Sequence, residues 1–231
     1  MSGSSTVFYQ CSNPKCSLRI PTGRIAGPQP PLCPRCKSSL HPVPTVQDVA
    51  NFLTQKPSPP SQTFLLEALL DNIRSTFNVG AMFRAADGAG VRHLYLCGLT
   101  PLPGNPRISK TALGAEHAVA WEYAPNGLQM AESLVSDGKN LWALETTPDA
   151  VSLFDIDYIP PHPSIVLVVG NEVSGIDPQI LSLCSKKIFI PMSGYKNSLN
   201  VAVAFGIAVY HLMFGVHRHL TDPQMPGKIH P

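Results

Sequence analysis

The sequence predicts an α/β domain with a mostly parallel sheet, preceded by a small cysteine-bearing module. Three observations carry that expectation. Strand and helix signals alternate from Phe64 to Val216, and such alternation builds a parallel sheet flanked by helices. The run Ile165–Val169 (IVLVV) is unbroken and largely β-branched, as in a strand covered on both faces. Cys11, Cys16, Cys33 and Cys36 form two close pairs near the start.

The module comes first, over residues 1–40. Cys11-x4-Cys16 and Cys33-x2-Cys36 can each place two thiolates on one tight knuckle, and two knuckles make a tetrahedral site for structural zinc. The segment is short and poor in aliphatic residues, so a metal would supply the stability that a core cannot. Two disulfides or a redox CxxC are the alternatives. The first residues are polar, with neither a charged n-region nor an apolar h-region, so no secretory signal is expected and a cytoplasmic location is. Cys97 and Cys184 also look unpaired, which disfavours a disulfide framework. No βαβ context supports redox chemistry.

Charge separates the two parts. Lys15, Arg19, Arg24, Arg35 and Lys37 lie before the first acidic residue, Asp48. Of 17 basic residues these five leave 12 for the rest of the chain, against 15 acidic. A basic module on a slightly acidic body suits contact with a polyanion. Simple solubility of the module is the other reading.

Residues 41–62 read as a Pro- and Ser-rich linker, with a short helix near Val46–Leu53. Phe64–Leu70 (FLLEALL) holds residues that also favour a helix. Val79–Gly90 fits a helix with Met82, Phe83 and Ala86 on one face, ended by Gly88 and Gly90. His93–Cys97 is a strand, Thr100–Pro106 a loop, and Ile108–Gly114 a short helix. Asn140–Glu145 and Ile165–Val169 are strands, and Ile188–Ile190 precedes the last helix. The apolar stretch Val201–Val216 is interrupted by Tyr210 and His211 and is short for a bilayer. Its small residues suit a buried or intersubunit helix, and no membrane partner is expected. Residues 221–231 form a tail. No internal repeat is visible.

Three segments hold the candidate chemistry. The first contains Asn78, Gly80 and Arg84 (N-x-G-x-x-x-R). The second is VVGNE-x-x-G, with Gly170, Glu172 and Gly175. The third, IPM-x-G-x-x-x-SLNVA-x-A, holds Ile190, Met192, Ser198, Leu199 and Asn200. Each has a plain structural reading. Asn78 fits an N-cap if the helix starts at Val79, and Ser198 fits an N-cap of the last helix. Arg84 fits a snorkelling surface cation, Glu172 a solvated loop carboxylate, and the glycines turn residues. Asn200 is harder to place, because an amide in the first turn of a buried helix needs a partner. No G-x-G-x-x-G follows the first strand, and Ser198 lacks a G-x-S-x-G elbow. The histidines show no ligand spacing; His217 and His219 are two apart, wrong for one helical face.

Taken in order, the three segments resemble the three motifs of the SpoU/TrmH family, RNA ribose 2′-O-methyltransferases of the SPOUT superfamily. The resemblance covers roughly residues 63–218, and the stretch Lys110–Tyr123 shares it. It implies a strand at Phe64–Leu70 and a methyltransferase domain over 63–220 with a C-terminal trefoil knot. It implies S-adenosylmethionine as donor, held largely by backbone at Leu144, Glu145, Gly170, Ile190, Met192 and Leu199. It places the catalytic set at Asn78, Arg84, Glu172, Ser198 and Asn200, with Glu172 locking Arg84 or the neighbouring loop. It also implies a homodimer through the last helix and a tRNA or rRNA substrate. A guanidinium holds its proton too tightly for an easy base, so Arg84 is read as fixing the ribose and stabilising the oxyanion. Two rivals keep the fold: an RNA-binding adaptor without catalysis, and an enzyme that methylates a base nitrogen.

Overall fold

The computed structural model of the protein describes residues 7–22, 31–43, 64–159 and 164–216. The expected helix near Val46–Leu53, nearly all of the 41–62 linker, and the 221–231 tail lie outside the described residues. The chain divides into two compact units, Met1–Ser58 and Pro59–Pro231.

In the first unit, strand β1 (Val7–Cys11) lies between β2 (Arg19–Thr22) and β3 (Leu40–Val43), antiparallel to both. Each cysteine pair closes a tight turn, with Cys16 N–H donating to Asn13 O and Lys37 N–H to Cys33 O, both at 2.9 Å. Ser17 and Lys37, each just after the second cysteine of its pair, take φ of 48° and 63°. Only Cys11, Cys33 and Leu40 are buried among the described residues of this unit.

The second unit is built on a seven-stranded sheet. Its strands are β4 (Leu65–Asp71), β5 (His93–Cys97), β6 (Ala120–Ala124), β7 (Asn140–Leu144), β8 (Val151–Ser152), β9 (Ser164–Val169) and β10 (Lys186–Phe189). The order is β6-β5-β4-β9-β7-β10-β8, and every pairing is parallel. The helices are α1 (Thr76–Ala89), α2 (Pro106–Ala112), α3 (Gly127–Ser136), α4 (Pro178–Leu183) and α5 (Val201–Tyr210). Alternate residues of β4 enter separate cores. Leu66, Ala68 and Leu70 pack with Met82 and Phe83 of α1 and Phe205 of α5. Leu69 packs on the opposite side with Ala131 and Leu134 of α3 and Ile180 of α4. This explains why a run of helix formers is a strand: with helices on both faces, burial outweighs propensity. Each fully buried leucine, isoleucine, methionine or phenylalanine among them contributes about 1.5–3 kcal/mol.

Several boundaries differ from the sequence reading. Helix α1 starts at Thr76, three residues before Val79, and its N-cap is Ser75, not Asn78. Its first residues, Thr76, Phe77 and Asn78, are half-buried or exposed, Phe77 included, so they fall outside the apolar stripe. Gly90 caps its end with φ of 82°, as expected, whereas Gly88 lies inside the helix. A Cβ on Gly88 would stand 2.5 Å from the Tyr210 hydroxyl, so that glycine serves the packing of α1 against α5. The N-cap of α5 is Asn200, not Ser198. The α-helix ends at Tyr210 and continues as a π-helical turn, His211–Gly215. Helix α2 begins at Pro106, capped by Asn105.

Candidate functional site

Sheet order gathers the distant motifs. The C-terminal ends of β4, β9, β7 and β10 are neighbours in that order. The loops that leave them carry, in turn, the start of α1, the Gly170–Ile176 loop, Glu145, and the Ile190–Asn200 turn. In parallel sheets this carboxyl edge is where ligand-binding loops converge.

Three side chains join these loops. The Asn200 carboxamide oxygen accepts the Ala202 and Val203 N–H groups at 2.9 and 3.3 Å, capping α5. That role turns its NH2 outward, and it donates to Asn78 Oδ1 at 3.1 Å. The Asn78 NH2 in turn donates to Glu172 Oε1 at 2.9 Å. Glu172 also accepts the backbone N–H of Arg74 at 3.0 Å and of Ser75 at 3.2 Å. These lie at the amino end of α1, where a carboxylate meets unpaired donors and the positive end of the helix dipole. Partial burial works to raise the Glu172 pKa, but the bonds from Arg74, Asn78 and Ser75 outweigh it and hold the carboxyl below its ordinary value. The amide that lacked a partner in the sequence thus has two functions, cap and bridge.

Beside this chain of bonds lies a cleft of about 390 Å³. Leu144, Glu145, Gly170, Ile190, Met192 and Leu199 all line it, and so do Glu172, Ser198 and Asn200. Residues 191–200 are exposed throughout, so Met192 and Leu199 present apolar surface to an open space. Asn78 does not line the cleft but is tied to two residues that do. Arg84 does not line it either. It is exposed on α1, about 9 Å along the helix axis from Asn78, and among the described residues it has no ion-pair partner. The carboxylate of Glu172 therefore grips the loop before α1 rather than Arg84 in this single chain.

The sequence missed Asn171. Its side-chain oxygen accepts the Val173 and Ser174 N–H groups, and its NH2 donates to Asn72 O at 2.8 Å. It closes the loop after β9 and fastens it to the loop after β4. The signal was present in part: Asn followed four residues later by a glycine suits an Asx turn. The glycines have internal causes as well. A Cβ on Gly170 would lie 2.3 Å from Gly175 O, and one on Gly175 would lie 2.6 Å from Glu145 Oε2. Glu145 accepts from Thr146 N–H at 3.0 Å and Ile176 N–H at 3.3 Å, so its carboxylate joins two walls of the cleft.

The cysteines of the first unit form a second candidate site. The ligand atoms of Cys11, Cys16, Cys33 and Cys36 lie within 4.8 Å of one another. Cys11 and Cys36 sulfurs are 3.3 Å apart, and those of Cys16 and Cys33 are 3.8 Å apart. A tetrahedron with zinc–sulfur bonds of about 2.3 Å has edges of about 3.8 Å. Hydrogen bonds from the Ser38 side chain and backbone bring Cys36 down to about 6, while burial pushes Cys11 up to about 12. The four thiols are free, with no disulfide among them. The donor set and spacing fit zinc.

Known proteins bear on the second unit. A tRNA (guanosine(18)-2′-O)-methyltransferase of Aquifex aeolicus is 34% identical over 140 residues, covering 61% of this chain and 64% of that protein. A 23S rRNA (guanosine-2′-O-)-methyltransferase of Vibrio parahaemolyticus is 31% identical over 163 residues, covering 71% and 62%. The chain thus spans less than two thirds of the length of these curated relatives. An AdoMet-bound rRNA methyltransferase structure from Sinorhizobium meliloti superposes with a TM-score of 0.57 at 28% identity, covering 68% of this chain and 57% of that one. No helix among the described residues is long and apolar enough to cross a membrane. The SpoU rRNA methylase family model matches residues 66–210, more than half of the chain, and the protein belongs to that family.

Proposed function

We propose that the second unit transfers a methyl group from S-adenosylmethionine to a ribose 2′-hydroxyl in tRNA or rRNA. The observation that carries this reading is the Asn200–Asn78–Glu172 chain of hydrogen bonds, which locks three motif loops around one cleft. The names of the relatives, guanosine 2′-O-methyltransferases of tRNA and rRNA, support the reaction and the substrate class. Cleft size supports the donor, since drug-sized ligands occupy pockets of about 300–1,000 Å³. Bound there, S-adenosylmethionine supplies an electrophilic methyl on a sulfonium.

The chain's own residues then have separable tasks. Leu144, Ile190, Met192 and Leu199 give the donor an apolar bed, with strand-end backbone groups as hydrogen-bond partners. Gly170 and Gly175 let the loop after β9 close on itself and on Glu145, which shapes one wall of that bed. Glu172 and Asn78 fix the amino end of α1, and Ser198 and Asn200 set the wall opposite. Such alignment removes much of the barrier to an in-line transfer. Arg84 grips the ribose and its phosphate and stabilises the oxyanion as the 2′-proton leaves. It is exposed on α1, whose neighbour α5 shows bare Val203 and Tyr210, with Phe214 just beyond. A second copy seated on that apolar face is the homodimer we favour, and it would carry Arg84 to the cleft of its partner. The C-terminal trefoil knot belongs to the same reading. Four cysteines, Cys11, Cys16, Cys33 and Cys36, would hold a structural zinc and keep the first unit folded.

Arg84→Ala tests the division of labour. Calorimetry should show S-adenosylmethionine binding within a few-fold of the parent while RNA methylation is lost. Turnover near the parent rate would remove Arg84 from the reaction. Absence of donor binding to the parent protein would favour the adaptor reading instead.

A further inference from the structure

We propose that the outer face of the three-stranded sheet in the first unit binds single-stranded RNA by stacking a base on Phe8. The proposal rests on the reading of the chain as an RNA methyltransferase and names a contact that the cleft does not provide.

Alternation assigns the two faces. Tyr9 and Cys11 of β1 turn toward the sulfur cluster, together with Ile20 and Leu40 opposite them. Phe8 and Gln10 therefore turn the other way. The register places Pro21 and Arg19 opposite them on β2, and Val43 and His41 opposite them on β3. These six side chains share one face. Five are exposed and Val43 is half-buried, so among the described residues of this unit nothing covers that face.

The face has two rows. Phe8, 40% exposed at the centre of the middle strand, is flanked by Pro21 and Val43. That apolar floor spans two strand spacings, about 10 Å. The second row, two residues along the strands, is Gln10 between Arg19 and His41. Arg19 leans back over the ring, with its guanidinium carbon 5.8 Å from the Phe8 centroid. An exposed ring beside a cation and amide donors is the chemistry that receives an unstacked base and its phosphate. Charge selects the occupant. The six residues of the face include Arg19 and no carboxylate. A purely apolar protein partner would leave Arg19 without a counterpart. Duplex RNA offers no open base to the ring.

The test uses the full-length, zinc-loaded protein and a fluorescein-labelled oligouridine, read by anisotropy at fixed salt. Phe8→Ala should weaken binding roughly tenfold, the usual loss for one base–aromatic stack. Phe8→Trp should keep the affinity, and its added indole fluorescence should be quenched by the oligomer. Arg19→Ala should weaken binding and flatten its salt dependence by about one counterion. A blunt duplex should show no dependence on Phe8. Metal content and the thiolate spectrum of the cobalt-substituted protein report whether each variant keeps its fold. Equal affinity of folded Phe8→Ala and parent overturns the proposal. So does failure of the parent to bind oligouridine, which would leave the face to a protein partner. Donor binding measured in parallel separates the two readings. If donor binds but Phe8 is silent, only the stacking proposal falls. If Phe8 matters but no donor binds, stacking stands and the methyltransferase reading falls.

Discussion

The two units solve the same problem by opposite means. The second covers both faces of a seven-stranded sheet, and its two cores bury residues from nearly every strand and helix. The first has one small sheet, covers one face of it, and buries only two cysteines and a leucine among its described residues. One is held by apolar area; the other buries little and gathers four cysteines, which we propose as its zinc site. The difference also sorts function, because the second unit places its loops on a rigid edge while the first leaves a whole sheet face open. Stability of the first unit should therefore follow metal, and stability of the second should follow packing.

The sharpest break of this comparison is Cys33→Ser. Loss of one of four ligands should release the metal and unfold the first unit. Structural zinc in small domains is worth about 10–16 kcal/mol, more than this unit can replace. Hydrogen exchange should show residues 7–43 unprotected and β4, β9 and α1 unchanged. A metal-free protein with a protected first unit would mean that something other than zinc holds it.

Phe83→Ala probes the other side. Phe83 is fully buried between β4 and α5, so its truncation should cost about 3–5 kcal/mol. Denaturant unfolding of the second unit should shift accordingly while zinc content stays the same. A smaller loss, under about 1 kcal/mol, would mean that the site collapses around the missing ring.

Asn78→Ala acts more narrowly. It leaves Ser75 to cap α1 but cuts the bridge between Glu172 and Asn200. Unfolding free energy should fall by only about 0.5–1.5 kcal/mol, because both lost bonds are solvent-exposed and water replaces them. Methyl transfer should fall roughly 100-fold, because small misplacements of a reacting pair are expensive. Full activity in this variant would show that the bridge does not set the loops.

The smallest effect is a pH dependence. The folded-state pKa of Glu172 lies below its ordinary value, so its contribution is fully present above the unfolded carboxylate pKa. That contribution is lost as pH falls through the depressed folded value. Glu172 is exposed and solvent screens it, so the slope should be shallow. Unfolding of Glu172→Gln, followed from neutral to acid pH, should lack that slope.

How much of this was legible in the sequence varied with burial. Ile165–Val169 was plain, because a strand covered on both faces must be apolar throughout. Strand β6 was not, because four of its five residues are exposed and no alternation marks it. Helices α3 and α4 and strand β8 were also missed. Helix α4 has six residues and β8 two, too short for periodicity to show. At the site, residue type suggested Ser198 as the cap, yet geometry gave that task to Asn200. The second and third motifs supply seven of the predicted residues that line the cleft, and the family resemblance adds Leu144 and Glu145. Contacts that hold the cleft together, such as Asn171 to Asn72, depend on strand order and were hidden. Arg84 stands apart for the same reason, because a single chain leaves it exposed on α1.

Position-resolved mapping of the product tests the central claim most directly. The protein, labelled S-adenosylmethionine and unmodified tRNA or rRNA transcripts would be incubated, and the RNA then cleaved with alkali. The account predicts label at one ribose and an alkali-resistant bond on its 3′ side. Label on a base, with every backbone bond still cleaved, would contradict it.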